Sequence, residues 1–320
     1  KIKGQLSMTR AFVFPGQGSQ AVGMGKDLAD AFSVARDVFQ EVDDALSQNL
    51  TKIMFEDPNE ELILTENAQP ALMAVSLAVA RVLESEGNFK LADHCSLIAG
   101  HSLGEYSALA ATGAFSLSDT ARLLKIRGKA MQAAVPVGEG AMAAVLGLSL
   151  EDAQAVADEA AQGEVCTAAN DNAPGQVVLS GSRAAIERAI PIAKEKGAKR
   201  SVLLPVSAPF HCALMQPAAD AMADALGDVT ILAPSVPLVA NVSASSVTEP
   251  DEIKELLIKQ VCGSVRWREG VLVMKEQGVE QLVELGTGKV LSGLARRIDR
   301  ELTGLAINSP ENIEAFLGTL

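Results

Sequence analysis

Short aliphatic runs that end at glycine or proline alternate along this chain with longer stretches whose apolar residues recur every three or four positions. That is the pattern of buried strands set between amphipathic helices, and it predicts an α/β protein. Ala11-Phe12-Val13-Phe14 reads as a strand that runs into a glycine loop, Pro15-Gly16-Gln17-Gly18-Ser19-Gln20. Helical spacing occupies residues 30–48 and 69–85. Ser96-Leu97-Ile98-Ala99 is a second buried strand, and residues 105–111 are helix-forming and mostly small. Ser116-Leu117-Ser118-Asp119 fits a capping box that opens a helix reaching about Ala134.

The rhythm then changes. Residues 141–148 are strand-like and 150–161 helical. Residues 164–169 and 176–180 read as strands around an Asn170-Asp171-Asn172-Ala173-Pro174-Gly175 turn, followed by a helix at 182–196 and a strand at 201–206. This β-α-β-β-α-β order predicts a small ferredoxin-like subdomain inserted into a larger body. The body resumes with strands at 237–242, 279–285 and 304–308, separated by helices that include 289–298. The expected division is therefore a body of residues 8–135 and 207–320 around a subdomain of residues 136–206. The residues ahead of Met8 read as an expression remnant, with Met8 the natural start.

Composition narrows the function more than the fold. With 320 residues and a hydrophobic fraction of 48%, a full core can form, but aromatics are only 3%, so Ala, Val, Leu and Ile must build it. A formal charge of −13 argues against nucleic acid or an anionic membrane as the main partner. No stretch approaches the roughly 20 apolar residues of a membrane span, and no secretory signal pattern is present. The cysteines Cys95, Cys166, Cys212 and Cys262 show no C-x-x-C spacing, which suits free thiols in a reducing cytoplasm better than zinc or disulfides.

The sharpest chemical signal is Gly100-His101-Ser102-Leu103-Gly104, lying between the second strand and a helix. A G-x-S-x-G in that context reads as a nucleophile elbow: the turn is so tight that its flanks must be glycine, and it lifts the serine hydroxyl to the tip of the sheet. The helix that follows aims free N–H groups at any oxyanion formed there. The competing reading is a glycine-flanked turn with an incidental serine, which the strand–helix context disfavours. A serine nucleophile needs a base, and the chain has only His94, His101 and His211. His101 adjoins Ser102 and points the other way, so it shapes the elbow; His94 starts the incoming strand, far from its tip. His211, in a loop after a strand, remains as the base. No acidic residue stands out as a third member, so a Ser–His pair oriented by a backbone carbonyl is expected.

Arg127 is the second signal. Arg122, Lys125 and Lys129 form a solvated face of their helix, whereas Arg127 falls in the apolar stripe with Leu123, Leu124 and Met131. A guanidinium there must find an anion. Spacing leaves two readings open, an internal ion pair or a clamp for a substrate carboxylate. The Gly16-Gln17-Gly18 loop formally matches a dinucleotide fingerprint. The acid expected about 20 residues on, however, falls in a helical stretch, and no P-loop ending follows. A loop that brings backbone N–H groups beside Ser102 fits better.

Taken together, Phe14-Pro15-Gly16-Gln17-Gly18-Ser19-Gln20, Gly100-His101-Ser102-Leu103-Gly104-Glu105, Arg127, Gln176-Val177-Val178-Leu179-Ser180-Gly181 and Phe210-His211 resemble the malonyl-CoA:acyl carrier protein transacylases. The likeness covers nearly all of residues 8–320. It implies an α/β-hydrolase-like body with a parallel sheet plus the ferredoxin-like insert. It also implies Ser102 as the acylated nucleophile, His211 as its base and Arg127 as the binder of the malonyl carboxylate. The backbone N–H groups of Gln17 and Leu103 would form the oxyanion hole, and the main-chain carbonyl of Gln260 would orient the histidine. Leu103 and Phe210 resemble the malonyl-selective members, Phe210 bordering the acyl pocket. Thr287 is a departure, standing where the family usually has proline. No cofactor is implied beyond coenzyme A and phosphopantetheine, which enter as parts of the substrates malonyl-CoA and acyl carrier protein.

The resemblance implies an acidic carrier protein as partner, and this chain is acidic too, so docking calls for a local basic patch. Lys194, Lys196, Lys199 and Arg200 form the preferred candidate, because their strand leads to His211; Arg296, Arg297 and Arg300 form the other. A serine esterase or thioesterase shares the elbow and is the rival enzyme. A non-catalytic carrier-docking module is the rival of another class.

Overall fold

The computed structural model describes residues 8–320, and the supposed remnant of residues 1–7 lies outside them. β1 (Arg10–Phe14) is buried at every position, as a central strand covered on both faces must be. After the glycine loop come α1 (Lys26–Ala31), α2 (Ser33–Leu46), α3 (Leu50–Phe55) and α4 (Thr65–Gly87). The single helix expected over 30–48 is thus two, because Phe32 takes an extended backbone and breaks the run. α4 begins ahead of the expected Gln69 and carries Pro70 inside it. β2 (Leu97–Gly100) leads into α5 (Gly104–Ala111), and α6 (Leu117–Ala133) follows, with the Ser116 hydroxyl accepting the Asp119 N–H at 3.1 Å as its cap.

The insert has the order read from the sequence. β3 (Gly140–Leu146), α7 (Leu150–Ala161), β4 (Cys166–Ala173), β5 (Gln176–Ser182), α8 (Arg183–Glu195) and β6 (Arg200–Leu203) form an antiparallel sheet ordered β4-β5-β3-β6. The expected six-residue turn is corrected here: Asn170, Asp171 and Asn172 belong to β4, and only Pro174 and Gly175 separate the strands. β4 is broken by register shifts between Ala168 and Asn170 and between Asp171 and Ala173. Such bulges re-aim side chains.

The chain then returns through α9 (Gln216–Gly227), β7 (Leu238–Val239), β8 (Ser246–Val247), α10 (Pro250–Gln260), α11 (Trp267–Glu276), β9 (Gln281–Leu285), α12 (Val290–Ile298), β10 (Thr303–Ile307) and α13 (Pro310–Leu317). The body sheet is ordered β10-β9-β1-β2-β7-β8 and is parallel except for the β7–β8 pair. The strand expected over 237–242 is much shorter, since the chain turns away after Val239. The two sheets meet where Val265 donates to Ala169 O and accepts from the Asp171 N–H, and Arg268 pairs with the buried Asp171 carboxylate at 3.0 Å. No helix among the described residues is long and apolar enough to cross a membrane.

Candidate active site

The elbow is set by close backbone packing. A Cβ on Gly100 would come within 1.9 Å of Gly104, and one on Gly104 would lie 2.2 Å from Phe14 O, so neither position admits a side chain. Ser102 between them sits at φ 54°, a left-handed conformation that costs a non-glycine residue about 1–3 kcal/mol and persists only where its surroundings enforce it. Ser102 stands at the C-terminal end of β2, where the open edges of parallel strands gather loops.

Two side chains converge on its hydroxyl. His211 Nε2 lies 2.7 Å from Ser102 Oγ. Its Nδ1 faces two carbonyls, Gln260 O at 2.8 Å and Gly263 O at 3.1 Å. Both can only accept, so Nδ1 carries the proton and Nε2 is the acceptor for the serine O–H. Burial, with the positive charge of Arg127 added, pushes the His211 pKa down to about 3, so the imidazole is neutral near pH 7. Arg127 donates from an Nη to Ser102 Oγ at 3.0 Å. The hydroxyl thus donates to a base while accepting from a cation.

Arg127 itself is 1% exposed. Gly128 beside it lets α6 press against α4: a Cβ there would reach 2.5 Å from Glu66 Cα. The approach puts Gln69 next to the guanidinium, and Arg127 donates to Gln69 Oε1 at 2.8 Å and Gln260 Oε1 at 2.7 Å. Its ring-facing side lies over Tyr106, 5.6 Å from the centroid. Among the described residues no carboxylate lies within ion-pair distance of it, and its Nε has no hydrogen bond. Of the two readings left open by the sequence, a direct internal ion pair is not formed, and the buried Glu105 carboxylate acts on the guanidinium only through longer-range charge. The guanidinium is thus a buried cation whose direct contacts are neutral oxygens.

The N–H groups of Gln17 and Leu103 make no hydrogen bond among the described residues, and both residues line the cavity at Ser102. The Gln17 side chain is anchored on Thr65 Oγ1 at 3.2 Å. The cavity, about 720 Å³, runs between the body and the insert. Its wall includes Arg127, Phe210 and His211 on one side and Asn170, Asn172 and Leu204 on the other. Phe210 is 8% exposed at this wall, next to the base. The His101 ring is turned away from the serine hydroxyl: its Nε2 meets Asn172 Oδ1 at 2.8 Å, and its backbone O packs so close to Gly16 that a Cβ there would lie 2.7 Å from it. His94 stacks edge-on against Phe89, away from the site. Among the described residues no group of three or more His, Cys, Asp or Glu is arranged to hold a metal.

Several polar residues of the site were not singled out from the sequence. Gln69, Asn241, Asn170, Asn172 and Glu105 are buried or line the cavity. Gln260 was expected to act through its carbonyl alone, yet its side chain also receives Arg127 and donates to Ser102 O at 3.0 Å. The available signal was an amide within an otherwise apolar run, as at Gln69 in Ala68-Gln69-Pro70-Ala71-Leu72.

A serine poised between a neutral imidazole and a buried guanidinium, with unpaired N–H groups beside it, is the arrangement of a serine acyl-transfer centre. The comparisons with known proteins agree on this class. The chain belongs to the acyl transferase domain family, whose description matches residues 11–298. It is 47% identical to the malonyl CoA-acyl carrier protein transacylase of Escherichia coli, covering 96% of this chain and 98% of that one. The Bacillus subtilis protein of the same name is 45% identical, with 97% and 96% covered. The crystal structure of the acyl-carrier-protein S-malonyltransferase from Bartonella henselae superposes with a TM-score of 0.95 at 56% identity, covering 98% and 99%. A malonyl-transacylase solved in complex with a type II PKS acyl-carrier protein matches with a TM-score of 0.94 at 44% identity, covering 98% and 100%.

Proposed function

We propose that this protein moves a malonyl group from coenzyme A to the phosphopantetheine thiol of an acyl carrier protein through an acyl-Ser102 intermediate, as a step of fatty-acid biosynthesis. The observation that carries this reading is the Arg127 guanidinium, buried without a carboxylate partner and 3.0 Å from the nucleophilic oxygen. A cation so placed selects an acyl group with a second, free carboxylate. In the first half-reaction Ser102 passes its proton to His211 Nε2 as Oγ attacks the thioester carbon. The oxyanion is received by the N–H groups of Gln17 and Leu103, and the coenzyme A sulfur leaves with the proton from Nε2. In the second, the carrier thiol gives its proton to Nε2 and attacks the ester, and Oγ departs with that proton. Leu103 and Phe210 shape the acyl pocket toward malonyl. The reaction calls on no cofactor beyond the carriers that form part of its substrates, and it belongs in the cytoplasm.

We read the body, residues 8–135 and 207–320, as α/β-hydrolase-like and the insert, residues 136–206, as ferredoxin-like. The strand order of the antiparallel sheet supports the second reading. The esterase alternative loses ground because the histidine is oriented by two neutral carbonyls, while the nearby buried carboxylate of Glu105 bonds elsewhere. The deciding experiment is mass spectrometry of the protein after incubation with malonyl-, acetyl- and methylmalonyl-CoA, followed by a chase with holo-carrier protein. A malonyl adduct on Ser102 that moves to the carrier supports transfer. Release of free malonate instead would make this a thioesterase, and no adduct would leave only a docking module.

Arg127→Ala tests the clamp. Its loss removes charge-assisted hydrogen bonds worth about 1.5–3 kcal/mol, so kcat/KM for malonyl-CoA should fall by about 10- to 150-fold while acetyl-CoA loses little. Equal losses for both donors would refute the assignment. The acid limb of the kcat/KM profile should also lie well below pH 6.5. A base is useful only when unprotonated, and the lowered His211 pKa extends its neutral range toward pH 3. A rate that halves near pH 6.5 would contradict this.

For the carrier, the strand β6 supports the first basic patch. Arg200 opens it, and the residues just beyond its end, Leu204 to Ser207, line the cavity. Lys196 is 39% exposed with Glu159 at 3.5 Å, an exposed pair that a carrier acid could displace. Arg296 and Arg297 instead lie in the last turn of α12 and Arg300 just beyond it; that helix runs back from the C-terminal end of β9 to the start of β10. That is the end of the parallel sheet opposite the elbow. Reversing charge at Lys196 and Lys199 should raise KM for the carrier and leave acylation by malonyl-CoA unchanged. Carrier kinetics that respond only at Arg296 and Arg297 would reverse this choice.

A further inference from the structure

Beneath the elbow lies a carboxylate with no ion-pair partner among the described residues. Glu105, in the first turn of α5, is 1% exposed, and burial pushes its pKa up to about 7. A carboxylate oxygen accepts the backbone N–H of Asn241, which is 3% exposed. Asn241 comes from the segment that leaves the body sheet just after β7, and its side chain straddles the elbow. Nδ2 donates to Gly100 O at 2.8 Å, on the strand side, and Oδ1 accepts the Ser102 N–H at 2.8 Å, on the helix side. Gln260 Nε2 reaches the same Oδ1 at 3.4 Å.

One planar amide therefore satisfies a carbonyl and an N–H that the tight turn would otherwise leave unpaired in a buried place. No other neutral side chain of that length offers a donor and an acceptor so disposed. The consequence for chemistry lies in which N–H remains. At a strand-to-helix turn the successive amides of Ser102 and Leu103 both point toward the helix N-terminal region, and either could draw an oxyanion. Asn241 occupies the first, so the second is the elbow's free donor.

We propose that Asn241, seated by Glu105, is a positioning residue for acyl transfer: it holds Ser102 in its left-handed conformation and reserves the Leu103 N–H for the oxyanion. The proposal rests on the reading of Ser102 as nucleophile. It assigns Glu105 a role through Asn241 and none at the substrate.

The test measures single-turnover acylation of Ser102 by malonyl-CoA, with KM for malonyl-CoA and the melting temperature measured alongside. Asn241→Leu removes both hydrogen bonds, and Asn241→Asp keeps the acceptor but replaces the donor. Each should slow acylation by up to about 10²- to 10³-fold, the range for losing an oxyanion donor, at a KM little changed because Arg127 is intact. Glu105→Leu should slow acylation comparably, and Glu105→Gln, which keeps an oxygen for the Asn241 N–H, should recover most of that loss. Folded Asn241→Asp with the wild-type rate constant overturns the proposal. So does a loss confined to melting temperature or KM, or a failure of both Asn241 variants to fold, which would mark the role as structural. Failure of Glu105→Gln to recover the rate removes Glu105 from the role. A wild-type protein that forms no adduct on Ser102 would defeat the transfer reading itself, a result separable from all of these.

Discussion

Ser102→Ala should form no malonyl adduct, and transfer to the carrier should fall by about 10⁴- to 10⁶-fold, the scale on which serine nucleophiles are lost. Among the described residues no other hydroxyl combines an elbow, a histidine Nε2 at 2.7 Å and an arginine donor at 3.0 Å. Binding should survive, because Arg127 keeps Gln69 and Gln260 as partners and the cavity wall is otherwise untouched. The alanine protein should therefore bind malonyl-CoA within a few-fold of wild type while doing no chemistry. Intact-mass analysis after incubation with malonyl-CoA, beside calorimetric binding, separates the two effects. An adduct that persists on the alanine protein would move the nucleophile to another residue. Loss of binding together with the adduct would mean that the substitution had collapsed the elbow.

The elbow could be read from the sequence because its requirements are steric and local. Gly100 and Gly104 are forced by backbone approach, and that demand shows as two glycines around a serine. The order of the insert was legible for a related reason: each of its helices and strands carries its own period within a short stretch. Strand ends were less accessible. β7 looked longer than it is, since Ala240 and Val242 are as apolar as a strand would require, yet the chain turns there to deliver Asn241. The Asn170-Asp171-Asn172 stretch read as a turn by composition, but pairing with β5 across two bulges overrode that local preference.

The chemistry divides along the same line. His211 could be reached by elimination among three histidines, and Arg127 by its place in an apolar stripe. Whether Arg127 met an internal acid could not be read, because that depends on what α4 and α10 bring to it. The answer was two glutamine side chains, and amides carry no charge signal along a sequence. Glu105 was visible within the motif but had no assignable task until the chain around Asn241 was seen to fold over the elbow. What stayed hidden was long-range pairing of neutral polar groups, the class of contact that leaves the least trace in periodicity.

His211→Ala should cost about 10²- to 10⁴-fold in kcat/KM, the range of general-base removal, and more if the base and nucleophile act as one unit. No substitute stands ready. His101 Nε2 is committed to Asn172, and His94 packs on Phe89. The loss should fall on both half-reactions, because the same Nε2 receives the serine proton in one and the carrier thiol proton in the other. Single-turnover acylation and the carrier chase should therefore slow together, where a residue serving only one acyl carrier would slow one. Stability should fall too, since the Gln260 and Gly263 carbonyls lose a buried donor, at about 1–3 kcal/mol. Melting and rate must then be compared in the same preparation: a folded variant with the expected slow acylation supports the base. Normal acylation and chase rates in a folded His211→Ala protein would remove His211 from the reaction.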